Sequence, residues 1–180
     1  MNLAIFIFMF SSASFNYYLI NFYLKYIPGN VYLNTIVASI AECVSTLIAG
    51  SIVKYLGIKN TISGAFALNS ISGVILYIAE KLEFTSGVPV IILAAKFGNC
   101  ASFGLLYMST LHYFPSHFLG AVFGACNVTA RAITIMSPMV AEAAEPIPEI
   151  SMILSCILAA TFTRFLRKPK GLDIDSKPNI

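Results

Sequence analysis

Charge is what this sequence has least of: Asp, Glu, Lys and Arg make up 11% of its 180 residues, against about 25% in an ordinary globular domain. Hydrophobic residues make up 58%. A water-soluble fold of this length needs far more polar surface to cover its core, so a soluble enzyme is excluded. No stretch alternates strictly between apolar and polar residues, as the strands of a membrane β-barrel do. The net charge is only +3 and forms no basic patch interleaved with aromatics, so nucleic-acid binding has no support. Cys43, Cys100, Cys126 and Cys156 form no CxxC pair and lie far from any histidine at ligand spacing. They read as small hydrophobes packed between helices, not as a metal or redox centre. A glycine-rich nucleotide loop is also lacking, so direct ATP coupling within the chain is not expected. No cofactor and no bond-making chemistry are implied.

Long apolar runs are present instead. With no water in the hydrocarbon, every backbone N–H and C=O of a spanning segment must be paired internally, and a helix does this within one segment. About 20 apolar residues cross a bilayer. Six segments meet or approach that length: Leu3–Leu24, Leu33–Val53, Thr61–Ile78, Val88–Met108, Phe118–Val140 and Ile150–Phe165. The sequence predicts an all-α membrane protein, with residues 1–166 forming a six-helix bundle and residues 167–180 a polar tail. Turn residues separate the spans. Pro28-Gly29-Asn30 closes the first hairpin, and Gly57 with Lys59 and Asn60 the second. Glu80-Lys81-Leu82-Glu83 closes the third, Tyr113-Phe114-Pro115-Ser116-His117 the fourth, and Glu145-Pro146-Ile147-Pro148-Glu149 the fifth. Leu3–Phe10 followed by Ser11-Ser12-Ala13-Ser14 resembles a signal-peptide core. It lacks a basic flank, and apolar residues continue through Tyr17, Tyr18 and Phe22, so a retained span is expected.

Numbering the loops alternately places Lys54, Lys59, Arg164, Arg167, Lys168, Lys170 and Lys177 on one side. The other side receives Lys25 and Lys81 with Glu80, Glu83, Glu145 and Glu149. The positive-inside rule makes the first side cytoplasmic, with both termini there. The plasma membrane is the expected location.

Three ionisable residues fall inside apolar spans: Glu42, Lys96 and Arg131. A central arginine costs about 2.5–3.5 kcal/mol on insertion scales, so it is expected to face protein or water. Glu42 can pair with Arg131 or with Lys96, merely locking helices together. Two cations facing one acid leave one free to meet an anion. Gly120-Ala121-Val122-Phe123-Gly124 is a GxxxG that permits close backbone approach. His112 and His117 flank Pro115 in a geometry poor for a shared metal, and read as loop histidines. Asn127-Val128-Thr129 fits a glycosylation sequon but lies within a span.

Three stretches resemble the C-terminal half, helices 7–12, of a major facilitator transporter, specifically the organic cation/anion group (solute carrier family 22). Tyr17-Tyr18 leading to Pro28-Gly29-Asn30-Val31-Tyr32-Leu33-Asn34 is similar to that family's seventh helix and following loop. Ala41-Glu42, then Gly57-Ile58-Lys59, resembles its eighth helix with an intramembrane Glu and a short cytoplasmic loop. Phe97 through Tyr107 to Phe114-Pro115-Ser116, then Gly124, Cys126, Ala130-Arg131 and Pro138, tracks helices ten and eleven.

The resemblance implies a secondary transporter that moves a small organic ion by alternating access. Tyr17, Tyr18, Arg131, Glu42 and Lys96 would lie along the substrate pathway, with Gly57, Lys59, His112 and Pro115 at cytoplasmic hairpins. The departures matter. Leu19 stands where the family usually has Gly, and Ile58 with Lys59 where it has a basic pair. His112 replaces an expected Glu and Leu119 an expected Arg, which removes a charged cytoplasmic latch. The position of Arg131 tends to be acidic in cation carriers and basic in anion and carnitine carriers, so an anionic or zwitterionic substrate is implied. Such transporters have twelve helices, with the site between two halves near the midplane. Six helices therefore imply a fragment of a longer product, a half that pairs with an N-terminal six-helix partner, or a symmetric dimer. A non-transporting six-helix scaffold is the alternative. A channel subunit would want a re-entrant filter or a ring of charge, and neither is evident.

Overall fold

In a computed structural model, residues 2–23, 31–82, 87–143 and 146–166 are described. Pro28-Gly29-Asn30, Lys25, Glu83, Glu145 and the polar segment 167–180 lie outside them. The described residues form helices and no strand: α1 (Asn2–Tyr23), α2 (Val31–Leu56), α3 (Ile58–Lys81), α4 (Val88–Tyr113), α5 (Leu119–Thr134), α6 (Ser137–Ala141) and α7 (Ile147–Arg164). Six segments are long and apolar enough to cross a membrane, α5 and α6 together making one. The chain is thus an all-helical, multi-pass membrane protein, and its architecture is consistent with half of a major facilitator fold.

The helix ends and connections correct the sequence reading at four places. Gly57 alone separates α2 from α3. Its φ of +76° is a left-handed conformation that glycine adopts without penalty. Its N–H bonds back to the Val53 carbonyl at 2.9 Å, and the Thr61 hydroxyl donates to the Gly57 carbonyl at 2.8 Å. One residue suffices for the turn, so Lys59 and Asn60 belong to the first turn of α3, not to a hairpin. Lys59 donates to the Leu166 carbonyl just past the end of α7. His112 likewise sits in the last turn of α4, which ends ahead of Pro115 with Phe114 extended.

The fifth span is not continuous. It breaks at Ile135–Met136, before Pro138 in the first turn of α6, because proline has no N–H with which to continue the ladder. The sixth span begins earlier than apolar counting suggests. Pro148 occupies the first turn of α7, where a missing N–H costs nothing. Ile147 and Glu149 are therefore helical.

α1 packs on α4, α5, α6 and α7. At one end Phe6 meets Tyr113 and Phe114, with ring centroids 5.7 and 5.2 Å apart, and Leu166 is buried in the same cluster. At the other end Leu19, Ile20, Leu76, Ile92 and Met152 form a second apolar cluster. Between them lies a polar layer. The Asn16 amide donates to the Ser12 carbonyl and the Ser155 hydroxyl, both at 2.9 Å. The Asn69 amide donates to Asn99 Oδ1 at 3.3 Å and to Cys156 Sγ at 3.1 Å, and the Asn99 amide to the Ala13 carbonyl at 3.2 Å. Lipid cannot satisfy such groups, so in a membrane they turn inward and tie helices together. α2 is the outlier: it leans on α4, touches α3 lightly and leaves space beside α1 and α5.

Candidate functional site

That space is an open cleft of about 520 Å³ between α1, α2, α4 and α5, within the usual range for small-molecule sites, about 300–1,000 Å³. Each wall follows from helical periodicity. Ser39, Glu42, Cys43 and Thr46 recur at the spacing of one helix face and form the α2 wall. Adjacent residues Tyr17 and Tyr18 bring two aromatic rings from α1, packed edge to face at 5.5 Å. α4 contributes Cys100, Phe103 and Gly104, and α5 contributes Arg131, one turn before the break.

Four of the five pathway residues expected from sequence line this cleft: Tyr17, Tyr18, Glu42 and Arg131. Lys96 stands behind the wall. Its ammonium lies 2.7 Å from Glu42 Oε1, with the two side chains 5% and 27% exposed. It also donates to Asn21 Oδ1 at 2.8 Å and sits 5.8 Å from the Tyr17 ring centroid. The Tyr17 hydroxyl approaches Glu42 Oε2 at 3.5 Å, a weak contact. Of the two pairings left open by the sequence, Glu42 with Lys96 is the one formed.

Arg131 has no carboxylate partner among the described residues. Its guanidinium donates to the Tyr18 hydroxyl and lies 5.7 Å from that ring's centroid, in cation–π range. The side chain is exposed to the cleft. A planar, permanently charged group with free N–H donors suits a carboxylate or another planar oxyanion. Glu42 and Lys96 cancel locally, so among the described residues the cleft's unbalanced charge is the single positive one of Arg131. Nearby, Ser14 and Thr134 share a 2.9 Å hydrogen bond that links α1 to α5 beside the break.

The hairpin residues lie elsewhere. Gly57 forms the α2–α3 turn and Lys59 meets the end of α7, while His112 and Pro115 lie near the α4–α5 connection; none lines the cleft. Sequence reasoning missed Ser39, Cys43, Thr46, Cys100 and Phe103. For the three α2 residues, the i, i+3, i+4, i+7 stripe from Ser39 to Thr46 carried that signal. It also corrects the reading of the cysteines as packing residues only: Cys126 and Cys156 are buried, but Cys43 is exposed and lines the cleft with Cys100.

No family model matches the chain. Solute carrier family 22 member 16 of Xenopus laevis is 22% identical over 169 residues, an alignment that covers 92% of this chain and 30% of that protein. The likeness therefore extends over most of the six-span region, and the chain corresponds to less than a third of its relative's length.

Proposed function

We propose that this chain is a six-helix half of a secondary transporter for a small organic ion, anionic or zwitterionic, acting by alternating access with an N-terminal six-helix half or a second copy. The likeness to a solute carrier and the six apolar helices support transport in general. The charge arrangement of the cleft supports the sign of the substrate. In this reading the bundle rocks against its partner, opening the cleft to either side in turn. Tyr17, Tyr18 and Phe103 provide amphipathic and apolar walls, and Arg131 meets the substrate's negative charge. The Glu42–Lys96 pair holds α2 against α4 and keeps Glu42 from neutralising Arg131. Both termini are cytoplasmic in this arrangement, and the plasma membrane is the expected site of action.

The observation that carries this reading is an intramembrane arginine, exposed to a cleft, whose one candidate acid among the described residues, Glu42, is engaged by Lys96. Uptake of matched anionic and cationic tracers, at equal surface expression, tests it. Arg131→Lys keeps the charge but loses the two-pronged donor, so anion uptake should fall with protein level unchanged. Arg131→Asp should shift preference toward cations. An anion-to-cation preference unchanged in all three forms would remove Arg131 from the site. The second reading, a non-transporting scaffold, draws on the missing latch charges at His112 and Leu119. Absence of uptake in every form, including one joined to an N-terminal half, would favour it.

A further inference from the structure

The sequence places Glu149 in a turn with Glu145, among groups expected in water. The structure carries it inward. Because α7 begins at Ile147, Glu149 falls in the first turn of that helix and points into the bundle, 2% exposed. Neither carboxyl oxygen has a hydrogen-bond partner among the described residues. A small cavity beside it, about 20 Å³, is lined by Leu19 and Ile20 of α1, Leu76 of α3, Ile92 and Ala95 of α4 and Met152 of α7. Among the described residues, no other titratable or charged side chain lines the cavity. Lys96 follows Ala95 in sequence, but its ammonium is engaged by Glu42 and Asn21. A cavity of this size admits roughly one water, yet its apolar lining cannot supply the two to four partners a buried water requires.

An ionised carboxylate in these surroundings would give up hydration and receive no hydrogen bond or counter-charge in return. The N-terminus of α7 favours negative charge, but that contribution is a fraction of the desolvation penalty. A metal ion or organic cation is not accommodated either, since a metal would want several oxygen donors and the described residues offer one carboxyl group in an apolar pocket. A proton needs no further ligand.

We propose that Glu149 is a proton-binding site, occupied in this conformation and separate from the Arg131 cleft. It lies at the end of α7 opposite Arg164. α7 packs chiefly on α3 and α1, so exchange of the Glu149 proton with water requires the first turn of α7 to part from them. Use of that proton in a transport cycle rests on the function proposed above; the occupied state does not.

The test is infrared spectroscopy of the full 180-residue chain, purified into lipid nanodiscs, with folding checked by circular dichroism and monodisperse elution. Wild type at neutral pH should show the carbonyl stretch of a protonated carboxylic acid. Glu149→Gln should abolish that band, and Glu149→Asp should move it without abolishing it. Glu142→Gln, at an exposed glutamate just beyond α6, should leave it in place. A folded wild type with carboxylate bands only, or a protonated band that survives Glu149→Gln, would overturn the proposal. The wild-type spectrum decides the first point even if a variant fails to fold. Because the band is read without substrate, its absence and a failure of transport are distinguishable.

Discussion

α1 and α2 are both apolar helices of spanning length, yet 61% of the α1 span is buried inside the bundle and only 11% of the α2 span. α1 is fastened all around: by aromatic packing at one end, the Asn16 hydrogen bonds in its middle, and Leu19 and Ile20 at the other end. α2 is fastened chiefly along one edge, by the Glu42–Lys96 pair and the close passage of Thr46 over Gly104. Its other faces are the polar stripe lining the cleft and a row of exposed apolar residues, Ile36, Ile40, Val44, Leu47 and Ile48. Composition does not separate the two helices, because lipid is as good a solvent for leucine as a protein core is. Polar groups separate them. Asparagine and serine buried at several points of α1 require protein on several sides, whereas the polar residues of α2 require it on one.

The largest effect should come from cutting the ion pair. Glu42→Gln leaves the Lys96 ammonium, 5% exposed, with neutral groups such as Asn21 to meet it and no counter-charge among the described residues. Removing one member of a buried pair costs about 3–5 kcal/mol. Lys96→Met leaves Glu42, which is 27% exposed and reaches the water of the cleft, so its loss should be smaller. The double variant should recover most of the difference. Thermal unfolding of the four forms in one detergent measures this cycle. Equal losses from the two single changes, with no coupling between them, would mean that something other than the pair holds α2.

The number and rough placement of the spans were legible in the sequence because apolar length is a strong, local signal. Helix ends were less so. Apolar counting stops at the last charge, so it left Lys59, His112 and Glu149 outside helices that in fact include them. Pro138 was visible, but the run around it is mostly apolar, and only backbone hydrogen bonding shows the break at Ile135–Met136. In the candidate site the ionisable residues stood out because charge in a span is rare. Which cation Glu42 takes was not legible, since it depends on α2 leaning toward α4 and not α5. The inward face of α1 could have been found from Ser12, Asn16 and the other small polar residues of that span, which lipid would not satisfy.

A packing comparison should give the next largest effect. Phe10 of α1 is fully buried between Phe103 and Tyr107, with ring centroids 6.0 and 5.0 Å away. Phe→Ala costs about 3–5 kcal/mol in a water-soluble core. In lipid the transfer share of that cost falls away and the cavity share persists, leaving a loss on the order of 2 kcal/mol. Leu47 of α2 is exposed, and Leu47→Ala in the chain alone should change stability by less than about 0.5 kcal/mol. If Leu47→Ala costs as much as Phe10→Ala, another surface covers α2 in the protein as purified. Repeating the measurement across protein concentrations would then show whether a second copy provides it.

The smallest effect tests the same contrast within one helix. Gly98 and Gly104 both lie on α4, the first facing α3 and the second facing α2. A Cβ on Gly98 would come within 3.0 Å of two α3 backbone atoms, the Ala65 carbonyl oxygen and the Asn69 nitrogen. A Cβ on Gly104 would come equally close to a single side-chain methyl, Thr46 Cγ2. Backbone atoms of a packed helix can move only if the helix moves, whereas a helix free along most of its surface can shift by a few tenths of an ångström. Alanine gains about 1 kcal/mol over glycine in a helix interior, while overpacking typically costs about 1–3 kcal/mol. For Gly98→Ala the overpacking penalty should win, giving a net loss on the order of 1 kcal/mol. For Gly104→Ala the two effects should nearly cancel, or propensity should win. Unfolding of both variants in the same detergent decides the matter. A clear loss at Gly104 would mean that α2 is as firmly seated as α3, and that the cleft beside it is a rigid feature of the bundle.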